Sequence, residues 1–102
     1  MVTPMSSDTP LDDLSFKVRD DLVVESIDGE CLVLDLDRNV YFGLNALGVI
    51  VWGALETGSA LPELLDALSE RFPRVPRPDL DADLRAFLRS LLDADLVRAA
   101  DR

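Results

Sequence analysis

Val40-Tyr41-Phe42-Gly43-Leu44-Asn45-Ala46-Leu47-Gly48-Val49-Ile50-Val51-Trp52 is the stretch in which the chain changes its hydrophobic period. Up to Leu44 the spacing suits a strand. From Asn45 onward, Leu47, Ile50, Val51, Ala54 and Leu55 recur at helical intervals, which predicts a helix with one apolar stripe. Asn45 is a good N-cap, with Leu44 and Val49 at the staple positions around the first turn. Gly58 suits the residue just past the helix end. Gly48 and Gly53 each cost about 1 kcal/mol against alanine inside a helix, so close approach to a sheet or another helix is expected there.

Working back toward the N-terminus, Val23–Ile27 is rich in β-branched residues and ends at Asp28-Gly29, the dipeptide suited to a type I′ hairpin. Glu30–Asp35 answers it as a second strand. Leu36-Asp37-Arg38-Asn39 makes the next turn, with Asn39 able to take a left-handed conformation, and Val40–Leu44 is the third strand. Phe16–Arg19 adds a short lead-in strand. Residues 1–14 are rich in Ser, Thr, Pro and Asp and read as a flexible tail.

Working forward, Ser59 is placed to cap a second helix carrying Leu61, Leu64, Leu65, Leu68 and Phe72, with Pro62 tolerated in its first turn. The run from Pro73 to Pro78 reads as a non-helical connection. A third helix, capped by Asp79, shows Leu80, Leu84, Phe87, Leu88, Leu91 and Leu92, a wide apolar face. Leu96–Arg98 is a short extended segment, and 99–102 a C-terminal tail. The order is βββααα over one folded domain at 15–98.

The bulk numbers bound the function. The 102 residues suit one core, and with six per cent aromatic residues Leu, Val and Ala must fill it. The net charge of -10 argues against nucleic acid and against an anionic membrane, because both partners are bound through Lys and Arg. Residues 1–45 carry ten acids against three bases, so the acidity concentrates in the N-terminal part of the chain. No basic segment followed by an apolar run opens the chain, no apolar stretch approaches the ~20 residues of a bilayer span, and the single Cys31 fits a reducing compartment. A cytoplasmic protein is expected.

Catalysis finds no support in the residues. The sequence holds no histidine, which removes the usual serine and cysteine triads. One cysteine is too few for zinc, and Cys31 has no nearby cation to activate it. Asp35-Leu36-Asp37-Arg38-Asn39 matches the start of a calcium loop, but Val40 stands where that loop needs glycine and Ala46 where it needs glutamate. Gly43, Gly48, Gly53 and Gly58 lack the Lys-Ser/Thr pair of a phosphate cradle. Neither an enzyme nor a cofactor is expected.

A sheet beside three helices leaves edge strands, and an open edge is a template for another strand. Val40–Leu44 has no proline or lysine to block pairing, and its Val40, Tyr41, Phe42 and Leu44 side chains offer apolar pockets. A peptide added there gains main-chain hydrogen bonds for affinity and pockets for specificity. Leu84, Leu88 and Leu92, flanked by Arg85 and Arg89, are candidates for the second wall of a groove.

Cys31-Leu32-Val33-Leu34-Asp35, then Val40-Tyr41-Phe42-Gly43-Leu44-Asn45, then Ile50-Val51-Trp52, together resemble the PqqD-like proteins. The helix near Leu61–Phe72, Phe87-Leu88 with Leu91, and the closing Leu96-Val97 extend the resemblance over roughly residues 16–98. Asn39 and Asp95 stand where the family often has glycine. The resemblance implies an α+β, winged helix-turn-helix-like fold: a three-stranded antiparallel sheet followed by three helices, used as a recognition element for ribosomally made precursor peptides. It further implies that a leader peptide adds beside the third strand and packs on the third helix. By position that points to Val40, Tyr41, Phe42, Gly43, Leu84, Arg85, Leu88 and Arg89. A free-standing domain of this kind is similar to the recognition proteins of lasso-peptide pathways, which deliver the precursor to a leader peptidase. Service to a radical-SAM maturase, as in pyrroloquinoline quinone synthesis, is the alternative within the family. Outside it stand a winged-helix DNA-binding regulator, disfavoured by the acids Asp79, Asp81, Asp83 and Asp93 on the third helix, and a homodimeric adaptor.

Overall fold

The structure is a computed structural model that describes residues 10–101. Strands β2 (Val23–Ile27), β3 (Glu30–Asp35) and β4 (Val40–Leu44) form an antiparallel meander in that order. Three helices follow: α1 (Ala46–Leu55), α2 (Leu61–Arg71) and α3 (Arg77–Asp93). This is the α+β arrangement expected from the change of period at Asn45. The turn chemistry also holds. Asp28 and Gly29 take φ of 53° and 82°, the two left-handed residues that a type I′ turn requires. Asn39 and Asp95 both sit at φ 59°, doing without glycine what short polar side chains can do.

A second sheet was not foreseen. Strand β1 (Leu14–Val18) lies between β5 (Ser59–Ala60) and β6 (Val97–Asp101), antiparallel to both. The lead-in strand therefore begins two residues earlier than Phe16. The segment read as a C-terminal tail instead pairs, with Ala99 opposite Phe16 and Ala100 opposite Ser15. Leu11, on a 3-10 turn at Leu11–Asp13, and Leu14 are 3% and 0% exposed. Apolar burial thus anchors residues 11–14, which composition alone assigned to a tail; the rest of that tail, residues 1–9, lies outside the described residues.

Helix starts differ from the expectation for one reason. Proline lacks an N–H, so it belongs in the first turn, where no intrahelical partner is lost. Helix α3 accordingly begins at Arg77 with Pro78 inside it, and Asp79 is a first-turn acid rather than the cap. Ser59 is in β5, and α2 is entered through Ala60, whose backbone N–H donates to the Glu63 carboxylate at 3.1 Å. Asn45 does cap α1, accepting from the Gly48 N–H at 2.8 Å.

The core is mainly leucine. Leu14, Leu55, Leu64, Leu68, Leu84, Leu88, Leu91 and Leu96 are essentially unexposed, joined by Phe16, Val33 and Val51. The buried face of α1 is Gly48, Val51, Trp52 and Leu55, rotated from the expected stripe so that Leu47, Ile50 and Ala54 are only half-buried. The helix is apolar on nearly every side, so periodicity could not fix its facing direction. Gly29→Ala should cost about 1 kcal/mol, because its left-handed backbone disfavours a Cβ although no atom lies within 4 Å of one. Urea unfolding checks this, and an unchanged midpoint would refute it.

Candidate functional site

Strand β4 is an edge strand, paired only with β3 in the order β2-β3-β4. Its register sets Phe42 opposite Val33 and Leu44 opposite Cys31, on the sheet face turned to the helices. Tyr41 points to the other face and is 73% exposed, while Val40 is 41% exposed. The open edge and its accessible side chains thus coincide on one strand. Gly43 leaves the edge low, since a Cβ there would meet nothing closer than a Leu32 methyl at 3.8 Å.

Strand β4 meets one flank of α3 through its inward-facing Phe42. The Phe42 and Phe87 rings meet edge to face at 6.2 Å and 60°, the favoured geometry for such a pair. A hollow of about 370 Å³ runs beside them, lined by Asn45, Leu47, Asp83, Ala86, Phe87 and Ser90. A second, of about 280 Å³, shares Asn45, Leu47 and Asp83 and continues toward Phe72 and Val75. Gly48 packs against the Phe87 ring that lines the first. A Cβ at Gly48 would lie 3.1 Å from the Phe87 ring, so the close helix approach expected at this glycine is real, and its partner is α3. At Gly53 nothing comes within 4 Å, and no packing reason for that glycine appears.

The strand residues of the expected site, Val40, Tyr41, Phe42 and Gly43, therefore do lie along an open edge. The helix residues do not line the groove. Leu84 and Leu88 are 0% exposed and belong to the core. Arg85 is drawn to the opposite flank, bonded to Asp81 at 3.0 Å and to Asp12 at 2.6 Å, and these carboxylates raise its pKa. Arg89 is exposed toward solvent. The cause is the geometry of an amphipathic helix: the strongest apolar stripe goes to the core, and a groove is walled by the flank one-quarter turn away. That flank is Asp83, Ala86, Phe87 and Ser90. Phe87 was visible in the sequence as an aromatic residue offset from the leucine stripe, next to the small residues Ala86 and Ser90.

One end of the groove is fastened by charge. Asp35, at the end of β3, is 1% exposed and buried. Arg38 Nε donates to it at 2.7 Å and Arg19 Nη1 at 3.1 Å, and the Arg38 N–H bonds the same carboxylate at 3.3 Å. Arg38 also donates to the Ala94 carbonyl and Arg19 to the Asp95 carbonyl at 2.8 Å. The two arginines thereby tie the β3–β4 turn, the end of β1 and the C-terminus of α3 to one carboxylate. Asp35, the first residue of the stretch that mimics a calcium loop in sequence, is engaged in an ion-pair network. Among the described residues no cluster of three metal-ligating side chains occurs.

A family model described as coenzyme PQQ synthesis protein D matches residues 30–97. The chain belongs to the PqqD family. Among solved structures, one described as TbiB1 in complex with the TbiA(beta) leader peptide is 39% identical, with a TM-score of 0.69 over 80% of this chain and 94% of that one. Another, lasso peptide synthetase B1 complexed with the leader peptide, is 24% identical, with a TM-score of 0.67 over 81% of this chain and 96% of that one. The second shares the fold. No curated protein sequence matched.

The Arg38 hydrogen bond, with that from Arg19, holds the Asp35 carboxyl below the usual range. A carboxylate depressed in the folded state contributes stability that is present above its unfolded pKa, about 3.9, and fades as pH falls through the folded value. Asp35→Asn should lower Tm by about 5 °C or more at neutral pH and flatten the loss of stability below about pH 4. Thermal melts across that range test it; a variant melting like the parent at pH 7 would contradict the role given to Asp35.

Proposed function

We propose that this chain captures the leader of a ribosomally made precursor peptide and delivers it to a maturation enzyme, the leader peptidase of a lasso-peptide pathway. The observation that carries this reading is the open β4 edge facing the Phe87 flank of α3. An extended peptide set beside β4 completes the ladder that β3 leaves half-used, and its side chains alternate between the Tyr41 face and the hollow beside Phe87. Membership of the PqqD family supports it, as does the 39% identical relative solved with a leader peptide. The lasso assignment follows the sequence resemblance and the description of the second solved structure, lasso peptide synthetase B1.

The groove lining includes Asp83 and no base, so the peptide that fits is apolar or carries cations. The same charge disfavours duplex DNA. Helix α3 offers Arg77, Arg85 and Arg89 against Asp79, Asp81, Asp83 and Asp93, and Arg77 and Arg85 are committed to Asp66, Asp81 and Asp12. Chemistry is not needed for this role. The chain binds and presents.

The test is a titration with the leader of the precursor encoded beside this chain, in parallel with duplex DNA at physiological salt. Binding of the leader without DNA retardation supports capture; DNA retardation without leader binding overturns it. Ala86→Arg fills the hollow at an exposed helix position, and should weaken leader binding about tenfold or more with the fold retained. Leu88→Asp places a charge in the core and should unfold the chain instead. Circular dichroism and anisotropy separate the two outcomes, and a folded Leu88→Asp variant with unchanged melting would refute the assignment of Leu88 to the core.

A further inference from the structure

Strand β5 is too short to cover β1. It pairs with Ser15 and Phe16 only, whereas β6 runs beside β1 from Leu14 to Val18. Gly58, at φ 99°, is where the chain turns into β5 from the end of α1, so among the described residues no strand lies beside Lys17 and Val18 on that side. Arg19 donates its N–H to the Leu96 carbonyl at 3.1 Å, toward β6. Bonding direction alternates along an antiparallel strand, so Lys17 also bonds β6 while Val18 turns its N–H and C=O to the uncovered side. A hollow of about 640 Å³ opens there, with Lys17, Val18, Thr57, Ser59, Glu63 and Arg98 in its lining. It shares no residue with the hollows beside Phe87.

The side chains around this hollow say what fits it. Lys17 and Arg98 stand directly opposite one another across β1 and β6, both exposed. Like charges so placed repel. Arg19, Arg38, Arg77 and Arg85 each hold a carboxylate, but neither Lys17 nor Arg98 has an ion-pair partner among the described residues. This is so in a chain of net charge -10. Of the acids lining the hollow, Glu63 is engaged by the Ala60 N–H at 3.1 Å and the Ser59 hydroxyl at 3.3 Å, and Asp20 is exposed in the turn past β1. A strand laid beside Lys17 and Val18 places one side chain in the Arg98–Lys17 row and the next on the half-buried Val18 face. A carboxylate matches the first position and an apolar group the second, while the Val18 main chain supplies the hydrogen bonds.

We propose that the uncovered edge of β1 takes up a short extended segment of a partner protein, with a carboxylate seated beside Lys17 and Arg98. The open backbone favours a strand over a free anion, and the cation pair favours an acidic segment over a neutral one. The site is independent of leader capture, so the two can be filled together.

The probe is the hexapeptide Thr-Glu-Val-Glu-Val-Thr, blocked at both ends, with its Gln counterpart and inorganic phosphate as controls. Each is titrated into the full chain and followed by amide NMR shifts, with oligomeric state read by sedimentation. The expected result is a shift of the Val18 amide, with binding about tenfold or more weaker for the Gln peptide. Lys17→Gln and Arg98→Gln should weaken the acidic peptide to a similar degree and melt no lower than the parent, because each relieves the cross-strand repulsion. Shifts confined to Val40–Leu44, or equal binding of the Gln peptide, would overturn the proposal. Phosphate competing at equal affinity would reduce the edge to a free-anion site and overturn it as well. So would a parent dimer in which the Val18 amide is already protected, since a second copy would then fill the edge. A lower melting temperature in both variants would show the two cations to be partnered already, and would also contradict it.

Discussion

A charged carboxylate with 1% of its surface exposed is costly unless every oxygen is answered, and Asp35 is answered by two arginines and a backbone N–H. What makes the arrangement structural is where those donors come from. Arg19 follows β1 of the small sheet, and Arg38 sits in the turn that launches β4. Both reach on to carbonyls at the end of α3. The two sheets share no strand, so this network is where the meander, the small sheet and the last helix are held to one another by directed bonds rather than by leucine packing alone. Leucine contacts tolerate sliding; bonds to one buried carboxylate do not.

The groove inherits its shape from that fastening. Strand β4 leaves the Asp35 network at one end and is pinned at the other by Asn45, which caps α1. Between the two, Phe42 meets Phe87, and Gly48 lets the Phe87 ring sit a few tenths of an ångström closer to α1 than a Cβ there would comfortably allow. The edge strand and the helix flank beside it are thus fixed relative to one another by groups on their two ends and one aromatic contact in the middle. Preorganised walls lower the ordering cost of binding an extended peptide, which suits the proposed capture of a leader.

Much of this was legible in the sequence, and the misses share a cause. The meander could be read because its signals are local: a two-residue type I′ turn at Asp28-Gly29, a left-handed Asn39, alternating strands, and a cap at Asn45. The second sheet could not, because β1, β5 and β6 are drawn from opposite ends of the chain and β5 is only two residues long. Strand β4 is the open edge that its sequence suggests. Leu84 and Leu88 belong to the richest apolar stripe of α3, which periodicity alone offers equally as a binding wall, and they are buried where α3 packs onto the body. Asp35 was seen as part of a turn and not as its anchor, since nothing local announces that Arg19 will arrive from sixteen residues away.

The central claim is that an extended peptide pairs with β4 and packs on the Phe87 flank of α3. Amide hydrogen exchange with and without the leader of the neighbouring precursor tests it most directly. The account predicts new protection on Val40–Leu44, with the β2 edge unchanged. Protection that appears instead along β2, or beside β1, would contradict it.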